Sequence, residues 1–178
     1  EEFYDFYKNK MIFLDAKPNK AHLKLAEMEQ AGKLSAIVTQ NIDGLHQAAG
    51  SKNVFELHGS VHRNYCQKCG KFFDVNYVVN AKGVPYCDEC GGIIKPDVVL
   101  YEEGLDSQTI NGAVRAISKA DMLIIGGTSL VVYPAAGMID YFKGKYLAVL
   151  NRDATSRDKQ ADLCITDPIG EVLGRIRV

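Results

Sequence analysis

The sequence predicts an α/β fold, a parallel sheet with crossover helices and a small metal-bearing insertion. Short aliphatic or β-branched runs, at 36–39, 54–57, 121–126, 146–150 and 163–165, alternate with stretches whose apolar residues recur at helical spacing. That alternation is the pattern of strands joined by helices into a parallel sheet. Four of the five cysteines form two Cys-x-x-Cys pairs with seventeen residues between them, a spacing that suits tetrahedral zinc. Polar residues crowd directly behind the first of the strands, where an open parallel sheet binds its ligands.

The chain has 178 residues, enough for one or two domains with a substantial core. With 21 basic against 22 acidic side chains, the net charge is −1, and nothing in it favours nucleic acid or an anionic membrane as a direct partner. No apolar run is long enough to span a bilayer. Paired cysteines of this spacing suit a reducing compartment, the cytoplasm by default, better than a disulfide framework.

Phe3, Tyr4, Phe6, Tyr7, Met11, Phe13 and Leu14 make a loosely helical apolar pattern at the start. Pro18-Asn19 opens a second helix with Ala21, Leu25 and Met28 on one face, and Gly32 closes it; His22 on this helix is read as structural. The strand at 36–39 ends in Gln40, Asn41 and Asp43. By residue type alone these are either a turn with a helix cap or hydrogen-bonding groups for a sugar or amide. Gly50-Ser51 marks a turn, and the strand at 54–57 delivers His58 and Gly59.

Cys66, Cys69, Cys87 and Cys90 come next, with Gly70 and Gly91 behind the second cysteine of each pair. Four thiolates fill a tetrahedral shell and leave no position for water, so the metal is structural. Lys68, Lys71 and Lys82 are offset by Asp74, Asp88 and Glu89, which argues against a nucleic-acid-binding ribbon. Residues 93–103, with Pro96-Asp97 at their centre, read as a strand leaving this module.

Ile110, Ala113, Val114 and Ile117 mark a helix over 106–119. The buried strand 121–126 runs into Gly127-Thr128-Ser129, by residue type either a plain turn or a place where glycine lets backbone approach a phosphate and hydroxyls donate to it. Asn151 ends the strand at 146–150, Cys164 is expected as a small buried residue in the last strand, and Glu171, Val172, Leu173 and Ile176 mark a terminal helix.

The string Gln40-Asn41-Ile42-Asp43-Gly44-Leu45-His46, followed by Glu56-Leu57-His58-Gly59, resembles the sirtuins, NAD-dependent protein lysine deacylases of bacterial type. Gly127-Thr128-Ser129-Leu130 with Pro134 matches a further string of that family. The resemblance implies a Rossmann-like NAD-binding domain at 1–59 and 96–178, with a zinc-ribbon domain inserted at 60–95. It implies that Gln40, Asn41, Ile42 and Asp43 line the nicotinamide and ribose pocket, with Asn41 and His58 catalytic and His58 the general base. Gly127, Thr128, Ser129, Asn151, Arg152 and Ile169 would hold the rest of the cofactor. Val99, Tyr101 and Val132 would line the acyl-lysine cleft, with the substrate peptide added as a strand.

In the implied reaction the acyl oxygen of a protein lysine attacks C1′ of the nicotinamide ribose and expels nicotinamide. The histidine then draws a proton through the ribose hydroxyls, and the products are nicotinamide and an O-acyl-ADP-ribose. Two departures stand out: Glu102 replaces a usual glycine, and Gly104 a usual larger residue. The family's glycine-loop strand is not in these 178 residues, so an open sheet edge and weak NAD turnover by this chain are expected. The alternatives are a catalytically silent, zinc-stabilised peptide-binding module and an NAD-dependent ADP-ribosyltransferase.

Overall fold

The computed structural model describes all 178 residues. In chain order the helices are α1 (Glu2–Phe6), α2 (Lys20–Gln30), α3 (Leu45–Ala48), α4 (Val75–Asn80), α5 (Ser107–Lys119), α6 (Ala135–Met138) and α7 (Ile169–Gly174). The strands are β1 (Ile37–Thr39), β2 (Val54–Glu56), β3 (Gly59–Cys66), β4 (Phe72–Phe73), β5 (Ile94–Val98), β6 (Met122–Gly126), β7 (Tyr146–Leu150) and β8 (Leu163–Ile165). They form two compact units, one of Glu1–Ala16, Asn41–Gly44 and His58–Leu105, the other of Lys17–Gln40, Leu45–Leu57 and Asp106–Val178.

In the first unit β3 is the centre of an antiparallel sheet ordered β4-β3-β5. Beyond α1 the chain keeps winding to Met11 in a wider i→i+5 turn, closed by the Ile12 N–H donating to the Tyr7 carbonyl at 3.2 Å. This segment packs on the sheet. Tyr7 is fully buried among Val61, Phe73, Val78 and Ile94, and the Tyr4 hydroxyl donates to the Ile94 carbonyl at 2.6 Å. Burial pushes the Tyr4 phenol above its usual range, with the nearby Tyr86 phenol adding to the rise. The Lys8 ammonium donates to the carbonyls of Ala81 and Gly83 at 2.6 and 2.7 Å, holding the loop after α4. The opening apolar pattern is therefore one face of this unit's core.

Gly59 starts β3 where the backbones nearly touch: a Cβ there would lie 1.9 Å from the Asp97 carbonyl oxygen, and φ is +75°. Gly70 has the same φ with nothing within 4 Å of a built Cβ. Gly59→Ala is expected to destabilise the fold by about 3 kcal/mol or more, from the left-handed conformation plus the clash. Gly70→Ala pays only the first, about 1 kcal/mol. Urea unfolding of the two variants checks this, and equal midpoints would show that the close approach relaxes without penalty.

In the second unit every ladder is parallel, β1 with β2, and β6-β7-β8. These are the strands the alternating runs predict, but they form two separate ladders, so β1 and β6 each keep an open edge. Helix α5 covers both ladders: Ala113 and Ile117 are buried with Leu57 and Met138, and Val38, Phe55 and Leu123 pack around them. Gly112 permits this approach, since a Cβ would sit 2.3 Å from the Phe55 ring. On another face Ala21 of α2 and Leu173 of α7 are buried with Leu150.

Both long helices begin on side-chain caps, close to where the sequence places their starts. The Asn19 side chain accepts from the N–H groups of Ala21 and His22 at 2.9 and 3.2 Å, and the Asn19 N–H donates to His22 Nδ1 at 3.1 Å. His22 is thus the return arm of a capping box, a structural role. Asp106 accepts from the Thr109 N–H at 2.7 Å. That bond and the Thr109 hydroxyl hold the Asp106 carboxyl below its usual range. Cys164 differs from expectation and is exposed: β8 is the edge of its ladder, and Leu163 beside it is exposed as well.

Candidate metal centre and active site

The four paired cysteines converge. Their sulfurs all lie within 4.8 Å of one another, with Cys66 to Cys90 at 3.4 Å and Cys69 to Cys87 at 3.7 Å. A tetrahedral zinc with Zn–S bonds of about 2.3 Å needs sulfurs about 3.8 Å apart, so the cluster fits that ion with small adjustments.

The two knuckles repeat one design. The Gly70 N–H donates to the Cys66 carbonyl at 2.9 Å, and the Gly91 N–H to the Cys87 carbonyl at 3.0 Å. Cys66 N–H returns to the Lys71 carbonyl at 2.9 Å, and Cys87 N–H to the Gly92 carbonyl at 2.8 Å. Gly70 and Gly91 both have positive φ, which closes each turn under its sulfurs. A Cβ on Gly92 would lie 2.8 Å from the Cys66 sulfur, so glycine is needed there as well.

The thiols do not share charge evenly. Burial opposes ionisation of Cys66, but the N–H groups of Cys69 and Lys68 and the thiols of Cys90 and Cys69 hold it down to about 6. The Lys71 N–H favours a Cys69 thiolate, yet the neighbouring sulfurs and burial push it up to about 12. Four thiolates side by side repel one another, and a dication removes that repulsion. Lys71 joins the knuckles from outside, its ammonium 2.8 Å from both the Asp88 and Glu89 carboxylates. Its charge is spent within the module.

The second group of candidates follows β1 and β2 directly in the chain. The Leu57 N–H donates to the Thr39 carbonyl at 2.9 Å, the last rung beyond the paired residues Thr39 and Glu56. Gln40 and His58 are the residues that follow on the two strands. Asn41 is exposed, while Gln40, Ile42, Asp43 and His58 are half-buried. The Ile42 carbonyl accepts from the Val61 N–H at 3.0 Å, and the Ile42 side chain packs against the core that holds Val61 and Ile94. His62 Nε2 lies 3.0 Å from the Asp43 carbonyl, and its ring passes so close to Gly44 that a Cβ there would be 2.7 Å from Cδ2. This clamp is not visible in the sequence, since it rests on a bulge in β3 between Ser60 and Asn64. His58 is held through its backbone, its carbonyl accepting from the Val99 N–H at 3.1 Å. Val99 is half-buried, and Tyr101 is fully exposed.

Within the second unit, the remaining candidates sit at the carboxyl edge of β6-β7-β8. The Gly127 N–H donates to the Leu150 carbonyl at 3.1 Å, and the Asn151 N–H to the Ile165 carbonyl at 3.1 Å. The Leu130 N–H donates to the Thr128 hydroxyl at 3.2 Å. Ile169 caps this edge, its Cδ1 2.4 Å from where a Cβ on Gly126 would be. Gly127, Thr128, Ser129, Asn151 and Ile169 thus share one edge; Ser129 and Arg152 are exposed there, and Val132 is 49% exposed in the following loop.

Comparison with known proteins identifies the family. The Sir2 family model matches residues 1–134. An NAD-dependent protein deacetylase of Clostridium acetobutylicum is 66% identical over 174 residues, covering 97% of this chain and 71% of the relative. One from Clostridium perfringens is 64% identical over 177 residues, covering 99% and 72%. A Sir2 structure with a p53 peptide and NAD+ superposes with a TM-score of 0.90 at 40% identity, covering 98% of this chain and 75% of that one. Another, with 2′-O-acetyl-ADP-ribose and a deacetylated p53 peptide, gives 0.90 at 43% identity, covering 98% and 77%. The family model matches residues 1–134, the relatives and solved structures cover 97–99% of the chain, and the chain belongs to the Sir2 family.

Proposed function

We propose that the chain is an NAD-dependent protein lysine deacetylase that consumes NAD+ and releases nicotinamide and an O-acyl-ADP-ribose. The observation that carries this is the exit of two parallel strands, paired up to Thr39 and Leu57, directly into Gln40–Asp43 and His58. Relatives at 62–66% identity are NAD-dependent protein deacetylases, and the open carboxyl edge of a parallel sheet suits a dinucleotide.

NAD+ is the co-substrate and supplies the electrophilic ribose carbon. The amide groups of Gln40 and Asn41 and the carboxylate of Asp43 are suited to orient the nicotinamide amide and ribose, with Ile42 beside the ring. His58 takes a proton from a ribose hydroxyl, work for which an imidazole is suited near neutral pH. Gly127, Thr128, Ser129, Asn151, Arg152 and Ile169 form the ledge for the remainder of the dinucleotide. Val99, Tyr101 and Val132 contact the acyl-lysine peptide. One zinc on Cys66, Cys69, Cys87 and Cys90 is structural, within an insertion at 60–95 of the NAD-binding domain. No helix is long and apolar enough to cross a membrane, and an all-thiol zinc site suits the reducing cytoplasm.

The test is product analysis with NAD+ and an acetyl-lysine peptide. Nicotinamide, deacetylated peptide and O-acetyl-ADP-ribose are expected in equal amounts by mass spectrometry. Nicotinamide release with an acetyl-retaining, ADP-ribosylated peptide would make the protein a transferase to protein instead. Failure to form any of the three would remove the proposed activity.

A further inference from the structure

The segment after β5 closes in a tight turn, with the Glu103 N–H donating to the Leu100 carbonyl at 3.1 Å. Tyr101 and Glu102 are its two central residues. The Glu103 carboxylate locks the turn from within, accepting from the Leu100 N–H at 2.9 Å and from the Lys95 ammonium at 3.0 Å. Asp97 is taken by Arg63 at 2.7 Å. Of the charged residues between 95 and 103, Glu102 alone has no ion pair or hydrogen bond. It also has φ of +70°, a conformation that glycine adopts freely and a side chain does not. Beside it Tyr101 is fully exposed. Nothing in the fold of this unit uses either side chain. A turn that keeps a strained, unmatched carboxylate beside a bare aromatic ring is organised for something outside the chain.

An aromatic face next to a carboxylate is the chemistry that grips a guanidinium, by cation–π contact and a charge-assisted hydrogen bond. β5 pairs with β3 on one side; its other side is met at Ile94 by the Pro85 carbonyl and the Tyr4 hydroxyl, and beyond Ile94 no strand pairs there, so an added strand can join it. The turn stands three residues beyond Val99, whose N–H is bonded to the His58 carbonyl. A peptide lying along this segment carries its flanking residues past Tyr101 and Glu102. We infer that Tyr101 and Glu102 select acyl-lysine substrates with an arginine close to the acylated lysine, and disfavour those with acidic flanks. This rests on the deacetylase reading above.

Three acetyl-lysine peptides, identical except for arginine, glutamine or glutamate at the flanking positions, test it. The wild-type protein is expected to favour the arginine peptide over the glutamate peptide about three- to tenfold in kcat/KM, the range an exposed ion pair and cation–π contact provide. Raising the salt to 0.5 M should shrink the ratio. Glu102→Gln should bring it close to one and Glu102→Lys should invert it. Glu102→Gly should lose the selectivity while raising the thermal midpoint, because it relieves the left-handed strain. A wild-type ratio near one, or a ratio unchanged in Glu102→Gln, overturns the inference while leaving the deacetylase reading intact. If none of the peptides is turned over, the deacetylase reading fails instead. Fluorescence anisotropy with the same peptides, labelled, then decides the inference, with absent or charge-independent binding counting against it.

Discussion

Cys66→Ser is expected to lose its zinc and with it the fold of the sulfur-bearing end of the first unit. Cys66 is 3% exposed and belongs to the same core as Val61, Phe73 and Ile94, so the ligand is also a packing residue. Structural zinc supplies folding free energy directly, on the order of 10 kcal/mol in finger peptides. A site with one hydroxyl in place of a thiolate forfeits much of that. Zinc per chain should fall from about one to well below it, and the thermal midpoint should drop by more than ten degrees, the scale of several kcal/mol in a protein of this size. Cys69, Cys87 and Cys90 should become reactive to a thiol reagent. The same changes should follow a strong chelator on the wild-type protein. Full zinc content with an unshifted midpoint in Cys66→Ser would sink the structural role. Deacetylase activity should fall along with stability, since no cysteine is among the proposed reacting groups.

His58→Ala should do the reverse, removing turnover and sparing the fold. Loss of a general base lowers rate by about 10²–10⁴-fold. The bond that ties this residue to its neighbour strand runs from the His58 carbonyl to the Val99 N–H at 3.1 Å, and truncating the side chain leaves it in place. The thermal midpoint should therefore move by only a few degrees, and zinc content not at all. Nicotinamide release measured beside the melting curve separates the outcomes. Near wild-type turnover removes His58 from the chemistry; a collapse of the midpoint assigns it to the fold.

What was legible in the sequence was whatever local physics decides. The helix starts near Asn19 and Asp106, the strands ending at Thr39, Gly126 and Leu150, and the two knuckles can all be read from a few neighbouring residues. The cysteine cluster is legible for the same reason, since each pair makes its own turn before the pairs meet. Interactions between distant segments were not legible. The apolar face of residues 3–14 shows a helix, but nothing local says that Tyr4 will reach Ile94, ninety positions on. Lys71 reads as one charge among several until it is found holding Asp88 and Glu89. The contact of His62 with the Asp43 carbonyl depends on a bulge that no residue pattern announces. Cys164 departs from expectation because its apolar neighbours suggest a covered strand, whereas sheet order makes β8 an edge.

The bond between the His58 carbonyl and the Val99 N–H has an evolutionary consequence. It ties the proposed base to the proposed peptide strand through main-chain atoms, and main-chain atoms do not change when residues are substituted. Side chains along 99–102 can therefore drift from one lineage to another, trading aliphatic for aromatic or glycine for glutamate, while the histidine stays where it is. New substrate preferences can then be acquired by single mutations, without first passing through a form in which the reaction has failed.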